Sequence, residues 1–430
     1  MPPSGDSPAP TTAVTFGVNT DQQHPATRDQ SITNTREVAP PIHLTTTFEY
    51  AQDPDLLIPA IDRQGQPVQP FVYSRESAPN LTRLEDELSV LTHGKAITYA
   101  NGLAALFAVY TYFKPRNVAL SPGYHGSLGV LQLHQKLTSL SIVPLSTPSS
   151  SLQPGDIIHL ETPVNPTGES LSIAHYAQIA HSAGAYLLVD STFAPPGLQN
   201  PFDQGADIVM HSGTKYLGGH SDMLAGVITL KDDERGRKWA KELLTERTIL
   251  GSIMGSMEQW LCLRSLKTLE LRVARQSESA EKLVRWLYTC LSDDNKLPTA
   301  SGTAPTANKP TQREIDIVRR VVKTVHHSSL QGVLDPSTTK WLPAQMPNGY
   351  SPVFGLSLKT PDLARHLPSH LTLFKHATSL GGVESLIEWR ALSDKQIEQN
   401  LLRVSVGVEK WELLKGDLLG AFEKLGAASV

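Results

Sequence analysis

The run Val209-Met210-His211-Ser212-Gly213-Thr214-Lys215-Tyr216-Leu217-Gly218-Gly219-His220-Ser221-Asp222 decides how this chain of 430 residues is read. Lys215 follows a short apolar segment, Asp207-Ile208-Val209-Met210, and precedes two glycines. A lysine that condenses with a cofactor aldehyde needs a dry, shaped setting that lowers its pKa and lets the cofactor come close. The hydroxyls of Ser212 and Thr214 are suited to donate to a phosphate. Upstream, Ala185-Tyr186-Leu187-Leu188-Val189 reads as a buried strand that ends in a carboxylate, Asp190. A carboxylate at a strand's C-terminal end, with a lysine after the next strand, suits pyridoxal phosphate (PLP). Asp190 would pair with the ring nitrogen and Lys215 would carry the aldehyde.

Ser212-Gly213-Thr214-Lys215 also fits the S-x-x-K pattern of penicillin-binding proteins and β-lactamases, which need S-D-N and K-T-G further along. Neither tripeptide occurs in the chain. The formal net charge of -4 gives no reason to invoke nucleic acid or an anionic membrane. Two cysteines, Cys262 and Cys290, sit inside apolar segments, which excludes a disulfide framework and implies buried free thiols. The first twenty residues lack both a basic start and an apolar core, so no secretory or transit peptide is expected. Ala96 to Phe113 is uncharged, but its Thr, Asn, Gly and Tyr content reads as a strand end, a turn and a core helix, not a membrane span. These features predict a soluble cytoplasmic enzyme with no metal site.

From about Phe71, short apolar strands alternate with helices, the pattern of a parallel sheet in a layered α/β domain. Expected strands are Lys95 to Tyr99, Asn117 to Leu120, Asp156 to Leu160, Tyr186 to Val189, Asp207 to Met210 and Gly226 to Leu230. Met257 to Leu287 carries apolar residues at helical spacing, and the domain boundary is expected inside it. The segment 292–312 is rich in Asp, Pro, Thr, Ser and Ala and is expected to be a solvated loop. The remainder reads as a smaller α/β domain that ends in a helix near Trp411 to Leu425.

The stretch from Val189 to Gly226 resembles the Cys/Met-metabolism PLP enzymes: cystathionine γ-synthase, cystathionine γ-lyase and β-lyase, methionine γ-lyase and O-acetylhomoserine sulfhydrylase. Members carry D-[NS]-T-F, here Asp190-Ser191-Thr192-Phe193, then S-x-T-K-Y-[LI]-G-G-H-S-D at the spacing found between Asp190 and Lys215. The resemblance extends, on and off, from about Val38 to about Leu418. It implies the aspartate aminotransferase-like (type I) PLP-dependent transferase fold, an α/β architecture. On that reading 1–70 are a flexible start and an inter-subunit arm, 71–275 a large parallel-sheet-rich PLP-binding domain, and 276–430 a smaller C-terminal α/β domain.

Further motifs carry the resemblance to individual residues. Tyr73-Ser74-Arg75 with Pro79 and Leu84-Glu85 resembles Y-S-R-x-x-x-P-x-x-x-x-L-E, whose Tyr and Arg cross the dimer interface to the partner's PLP phosphate. Ala100-Asn101-Gly102-Leu103 stands where the family has A-S-G-M, implying phosphate contacts from the backbone of Gly102 and Leu103. Tyr124-His125-Gly126-Ser127 resembles Y-G-G-T, which implies that Tyr124 stacks on the pyridine ring and relays protons. His125, in a glycine's place, is either a loop histidine or part of the substrate pocket. Glu161-Thr162-Pro163-Val164-Asn165-Pro166-Thr167 resembles E-S-P-x-N-P-T and implies that Asn165 donates to the cofactor's phenolic oxygen.

Near the end, Ser379-Leu380-Gly381-Gly382-Val383-Glu384-Ser385-Leu386 matches S-L-G-G-x-E-S-L. Leu402-Arg403-Val404-Ser405-Val406-Gly407-Val408-Glu409 matches the run whose arginine grips the substrate α-carboxylate. Arg403, with Ser379 and Glu384, is therefore expected to bind substrate. The family's M-T-H-A is missing. Glu388-Trp389-Arg390-Ala391 stands there instead; the Trp389-Arg390 pair, with His125, is expected to shape a pocket for a second substrate, and Arg390 itself to lie either in a surface salt bridge or on a second carboxylate. The resemblance implies γ-replacement on an O-acylhomoserine, with cystathionine γ- or β-lyase activity, another nucleophile, or an inactive regulatory homologue as alternatives. It also implies a homodimer with shared sites, built into a tetramer.

Overall fold

The computed structural model describes residues 38–62, 71–292 and 309–428. The flexible start expected over the first 35 residues, and most of the loop expected at 292–312, lie outside the described residues.

The apolar segments become a seven-stranded sheet. Its strands are β1 (Gly94–Tyr99), β2 (Asn117–Leu120), β3 (Ser141–Pro144), β4 (Ile157–Glu161), β5 (Tyr186–Asp190), β6 (Ile208–Ser212) and β7 (Gly226–Lys231). They lie in the order β1-β7-β6-β5-β4-β2-β3. From β3 to β6 the sheet is parallel, whereas β7 is antiparallel to both β6 and β1. The first seven helices are α1 (Pro79–Leu91), α2 (Gly102–Phe113), α3 (His125–Gln135), α4 (Ile173–Ser182), α5 (Glu234–Leu250), α6 (Ser256–Leu266) and α7 (Leu269–Leu291). Strand side chains alternate between two cores. Ile157, Leu188, Met210 and Ile228 pack with α2, α3 and α5, while Ile158, Leu187, Val189 and Val209 pack with α4. Burial on both faces is why these strands read as continuous apolar runs. β3 is not among the strands expected from sequence. It is a four-residue edge strand with both ends exposed, so it needs no such run.

A second, five-stranded sheet is built from β8 (Val322–His326), β9 (Val353–Leu358), β10 (Lys375–His376), β11 (Leu386–Trp389) and β12 (Leu401–Ser405), ordered β10-β11-β12-β9-β8. Its helices are α8 (Gln312–Val321), α9 (Ser328–Leu334), α10 (Leu342–Gln345), α11 (Pro361–His366) and α12 (Trp411–Ala428). A capping box between Thr311 and Glu314 starts α8, and Leu283, Val318 and Phe422 pack from α7, α8 and α12 onto Phe354 and Val404.

The apolar stretch from Met257 to Leu287 divides into α6 and α7, and position 275/276 falls inside α7. At its start, Arg272 Nη1 donates to Tyr216 O (2.9 Å); one turn later, Gln276 Nε2 donates to Gly382 O (2.7 Å). Its second half lies in the core of the smaller lobe. One helix thus serves both lobes, and no composition break marks a boundary. Among the described residues, no helix is long and apolar enough to cross a membrane.

Candidate active site

A cavity of about 390 Å³ opens at the carboxyl ends of β4, β5 and β6, where ligands of open α/β sheets bind. The smaller lobe supplies part of its wall through Ser379, Leu380, Arg390 and Arg403. β6 ends at Ser212 and the chain turns at once, Lys215 N donating to Ser212 O (3.1 Å). The loop at Gly381 presses on this turn. Gly381 has φ +81°, and a Cβ there would lie 2.9 Å from Tyr216 N and 3.0 Å from the Lys215 carbonyl carbon. Its neighbour Ser379 is held at φ +80°, a left-handed conformation that costs a non-glycine residue energy. Two bonds hold it there: Lys215 Nζ donates to Ser379 Oγ (2.9 Å) and Arg403 Nη2 donates to Ser379 O (2.9 Å). Burial pulls the Lys215 amine down to about 8, the charge of Arg403 acts in the same direction, and Glu388 opposes.

Asp190 lies at the end of β5, buried, with Oδ1 taking the Thr192 N–H (2.9 Å) and hydroxyl. Burial raises its pKa, and the Thr192 bonds resist the rise. One strand over and in register with it stands Glu161. Its Oε2 accepts from Tyr124 N (2.8 Å) and its Oε1 from Asn165 N (2.7 Å), so one carboxylate fixes two loops of the cavity. Burial and the nearby charge of Asp190 push Glu161 upward, against those two N–H bonds. Asn165 Oδ1 accepts from Arg403 Nη1 (3.2 Å), which spends the amide oxygen and leaves its NH₂ for another acceptor.

At the start of α2, Asn101 Oδ1 caps the N–H of Ala104 (2.9 Å), and the N–H of Ala105 goes to Asn101 O (3.1 Å). Those of Gly102 and Leu103 find no protein partner among the described residues. A Cβ on Gly102 would lie 2.9 Å from Met210 Cε and 3.3 Å from Ser212 Oγ, so this helix start lies close against β6. Thr214 lines the cavity as well, but its hydroxyl bonds the backbone of Ala225. Tyr124 and His125 are exposed at the cavity mouth, ring centroids 4.8 Å apart.

Three expected residues lie elsewhere. Tyr73 and Arg75 do not line the cavity. Arg75 reaches Thr248 O (3.3 Å), with its guanidinium 5.3 Å from the Tyr73 ring. Glu384, expected to bind substrate, is also not in the cavity wall. Val383 N donates to Gly219 O (3.0 Å), which seats Glu384 on the Ser221 hydroxyl. Arg390 corrects the surface salt-bridge expectation: it is 3% exposed and lines the cavity. It pairs with the equally buried Glu388 (Nη1 to Oε2, 3.0 Å), and Arg403 Nη2 donates to that same oxygen. Trp389 instead donates its indole N–H to Gln399 O (2.6 Å) and takes no part in the wall.

These groups fit PLP. Free N–H groups at a helix start, with the Ser212 hydroxyl beside them, suit a phosphate. Asp190 keeps Oδ2 for a ring nitrogen, Asn165 keeps its NH₂ for a ring oxygen, and Lys215 is a half-buried amine of lowered pKa. Among the described residues, no cluster of His, Cys, Asp and Glu could hold a metal ion.

The sequence profile of the Cys/Met metabolism PLP-dependent enzymes matches residues 19–291 and 319–423. The chain belongs to that family. Cystathionine beta-lyase of Lactococcus lactis subsp. cremoris is 31% identical over 91% of the chain and 95% of its own length. L-methionine gamma-lyase of Brevibacterium sandarakinum is 32% identical over 83% of the chain and 84% of its own length. The solved cystathionine gamma synthase of Xanthomonas oryzae pv. oryzae superposes with a TM-score of 0.74 at 25% identity, covering 93% of this chain and 96% of that one. Membership makes the chain a PLP-dependent enzyme of the trans-sulfuration type, with the type I PLP fold and amino-acid substrates.

Sequence reasoning gave no role to Glu161, Glu388, Thr192 or Ser393. Glu161 did leave a signal: like Asp190, it ends an apolar strand in a carboxylate. Glu388 and Ser393, which bond each other (2.8 Å), matter through contacts that only the fold creates.

Proposed function

We propose that this enzyme carries out γ-replacement on an O-acylhomoserine, with a neutral acyl group such as acetyl favoured over succinyl. The observation that carries this is the distribution of charge over the cavity. Arg403 and Arg390 are buried, so the α-carboxylate goes to the deep end and the side chain of the substrate runs toward the mouth. The exposed lining residues at the mouth include Leu103, Leu224, Tyr124 and His125. Among the described residues of the lining, every carboxylate already has a partner or a cofactor task. A neutral ester suits such a mouth.

Bound PLP supplies an electron sink that stabilises negative charge at the substrate Cα. Asp190 would hold the ring nitrogen's proton, and Arg403 would orient the substrate so that the Cα–H bond faces Lys215. Lys215 Nζ, held at lowered pKa, would take the Cα proton and then move a Cβ proton. Tyr124, at the mouth, is placed to hand a proton to the departing group. The enzyme therefore consumes O-acetylhomoserine, faster when a thiol nucleophile is added, and yields a γ-substituted amino acid. Mass spectrometry of the products, with and without cysteine, tests this. An enzyme that ignores the esters and releases pyruvate from cystathionine is a β-lyase, and the proposal fails.

A further inference from the structure

We infer that Arg390 is the second guanidinium of the α-carboxylate clamp, sharing one substrate carboxylate with Arg403. This rests on the reading that Arg403 holds that carboxylate. Arg390 Nη1 and Arg403 Nη2 both reach Glu388 Oε2, so the two guanidiniums are neighbours. Burial alone would raise the Glu388 carboxyl, yet the charges of Arg403 and Arg390 together hold it below its usual value. Two buried cations thus share a single anion, with Ser393 Oγ donating to its other oxygen (2.8 Å). One further carboxylate would balance these three side chains.

Arg390 has the donors to take it. Among the described residues only its Nη1 is engaged, by Glu388; its Nε is buried without a partner, and the side chain lines the cavity. A buried N–H without an acceptor is costly, and a planar guanidinium answers best to a carboxylate. Arg403 is already engaged by Asn165 Oδ1, Ser379 O and Glu388, which leaves it fewer N–H groups for substrate than a free fork would offer. A carboxylate set between the two arginines, opposite Glu388, would be gripped by both.

The test titrates the holoenzyme with glycine and with ethylamine, an amine without a carboxylate, following the visible absorbance of the cofactor. Arg390→Met should weaken glycine binding roughly 10- to 100-fold and leave ethylamine unchanged. Arg390→Lys, which keeps the charge beside Glu388 but loses the fork, should fall between Arg390→Met and wild type. Unchanged glycine binding in Arg390→Met, with a loss in Arg403→Met, overturns the inference and spares the reading of Arg403. Unchanged binding in Arg403→Met overturns both. Equal losses for glycine and ethylamine mean that Arg390 only supports the fold. A loss confined to ligands with a second carboxylate, such as O-succinylhomoserine, assigns Arg390 to the distal end and also overturns it.

Discussion

Lys215 owes its lowered pKa chiefly to burial and secondly to the Arg403 charge, and both can be read out chemically. A neutral amine attacks an aldehyde and an ammonium does not, so cofactor uptake by the PLP-free protein should rise as pH passes about 8. Borohydride reduction at each pH, followed by peptide mapping, should place the label on Lys215. Removing a neighbouring cation raises an amine's pKa, so Arg403→Met should move the midpoint to higher pH. Label on a different lysine, or a midpoint near 10 in the wild type, would refute the assignment. Lys215, Asp190 and Arg403 were legible in the sequence because each belongs to a local run whose chemistry needs that residue type. Arg390 was not. Its neighbours Trp389 and Ala391 give no hint that β11 ends by turning it inward against Glu388.

Strand ends are where the sheet turns register into function. Glu161 and Asp190 close adjacent parallel strands in register, and Glu161 spends both oxygens on the backbone that carries Tyr124 and Asn165. Glu161→Gln keeps the shape but offers one acceptor where two N–H groups need one each, and its NH₂ would face a donor. The expected cost is about 1–3 kcal/mol of local order. PLP affinity, read by fluorescence titration, should fall by about tenfold or more, with the Tyr124 loop loosened. The effect should be sub-additive with Asn165→Ala, because Glu161 acts partly through Asn165. Full additivity, or unaltered affinity, would remove Glu161 from this role. At this scale the sequence carried most strands, since burial on both faces writes a continuous apolar run. It missed β3, whose exposed edge position writes none, and it could not show that α7 belongs to both lobes.

For the molecule as a whole, the described chain holds most of a site and some parts that face away from it. Tyr73 and Arg75 sit outside the cavity, next to a segment tied down at Pro40 and Pro41 by Trp260 Nε1 (2.7 Å) and Asn80 Nδ2 (2.8 Å). Beyond those ties the segment carries apolar side chains into the open: Val38 is 97% exposed, Leu44 72% and Ile61 90%. Exposed apolar residues grouped along one segment mark a contact surface, and a second copy of the chain is the occupant that would also bring Arg75 to a phosphate. The motif names the residues expected to do this, and on that reading a single chain would not display the contact, because the acceptor would belong to a neighbour. The expected state is therefore a dimer at least, with two dimers forming a tetramer in sedimentation. Arg75→Ala alone should weaken PLP binding, and Lys215→Ala alone should abolish turnover. Mixed after reversible dissociation, the two inactive chains should recover about a quarter of wild-type activity, since half of the dimers are hybrids with one intact site of two. No recovery from a mixture proven to contain hybrids would mean that Arg75 serves its own chain, and a fully active monomer would remove the shared site altogether.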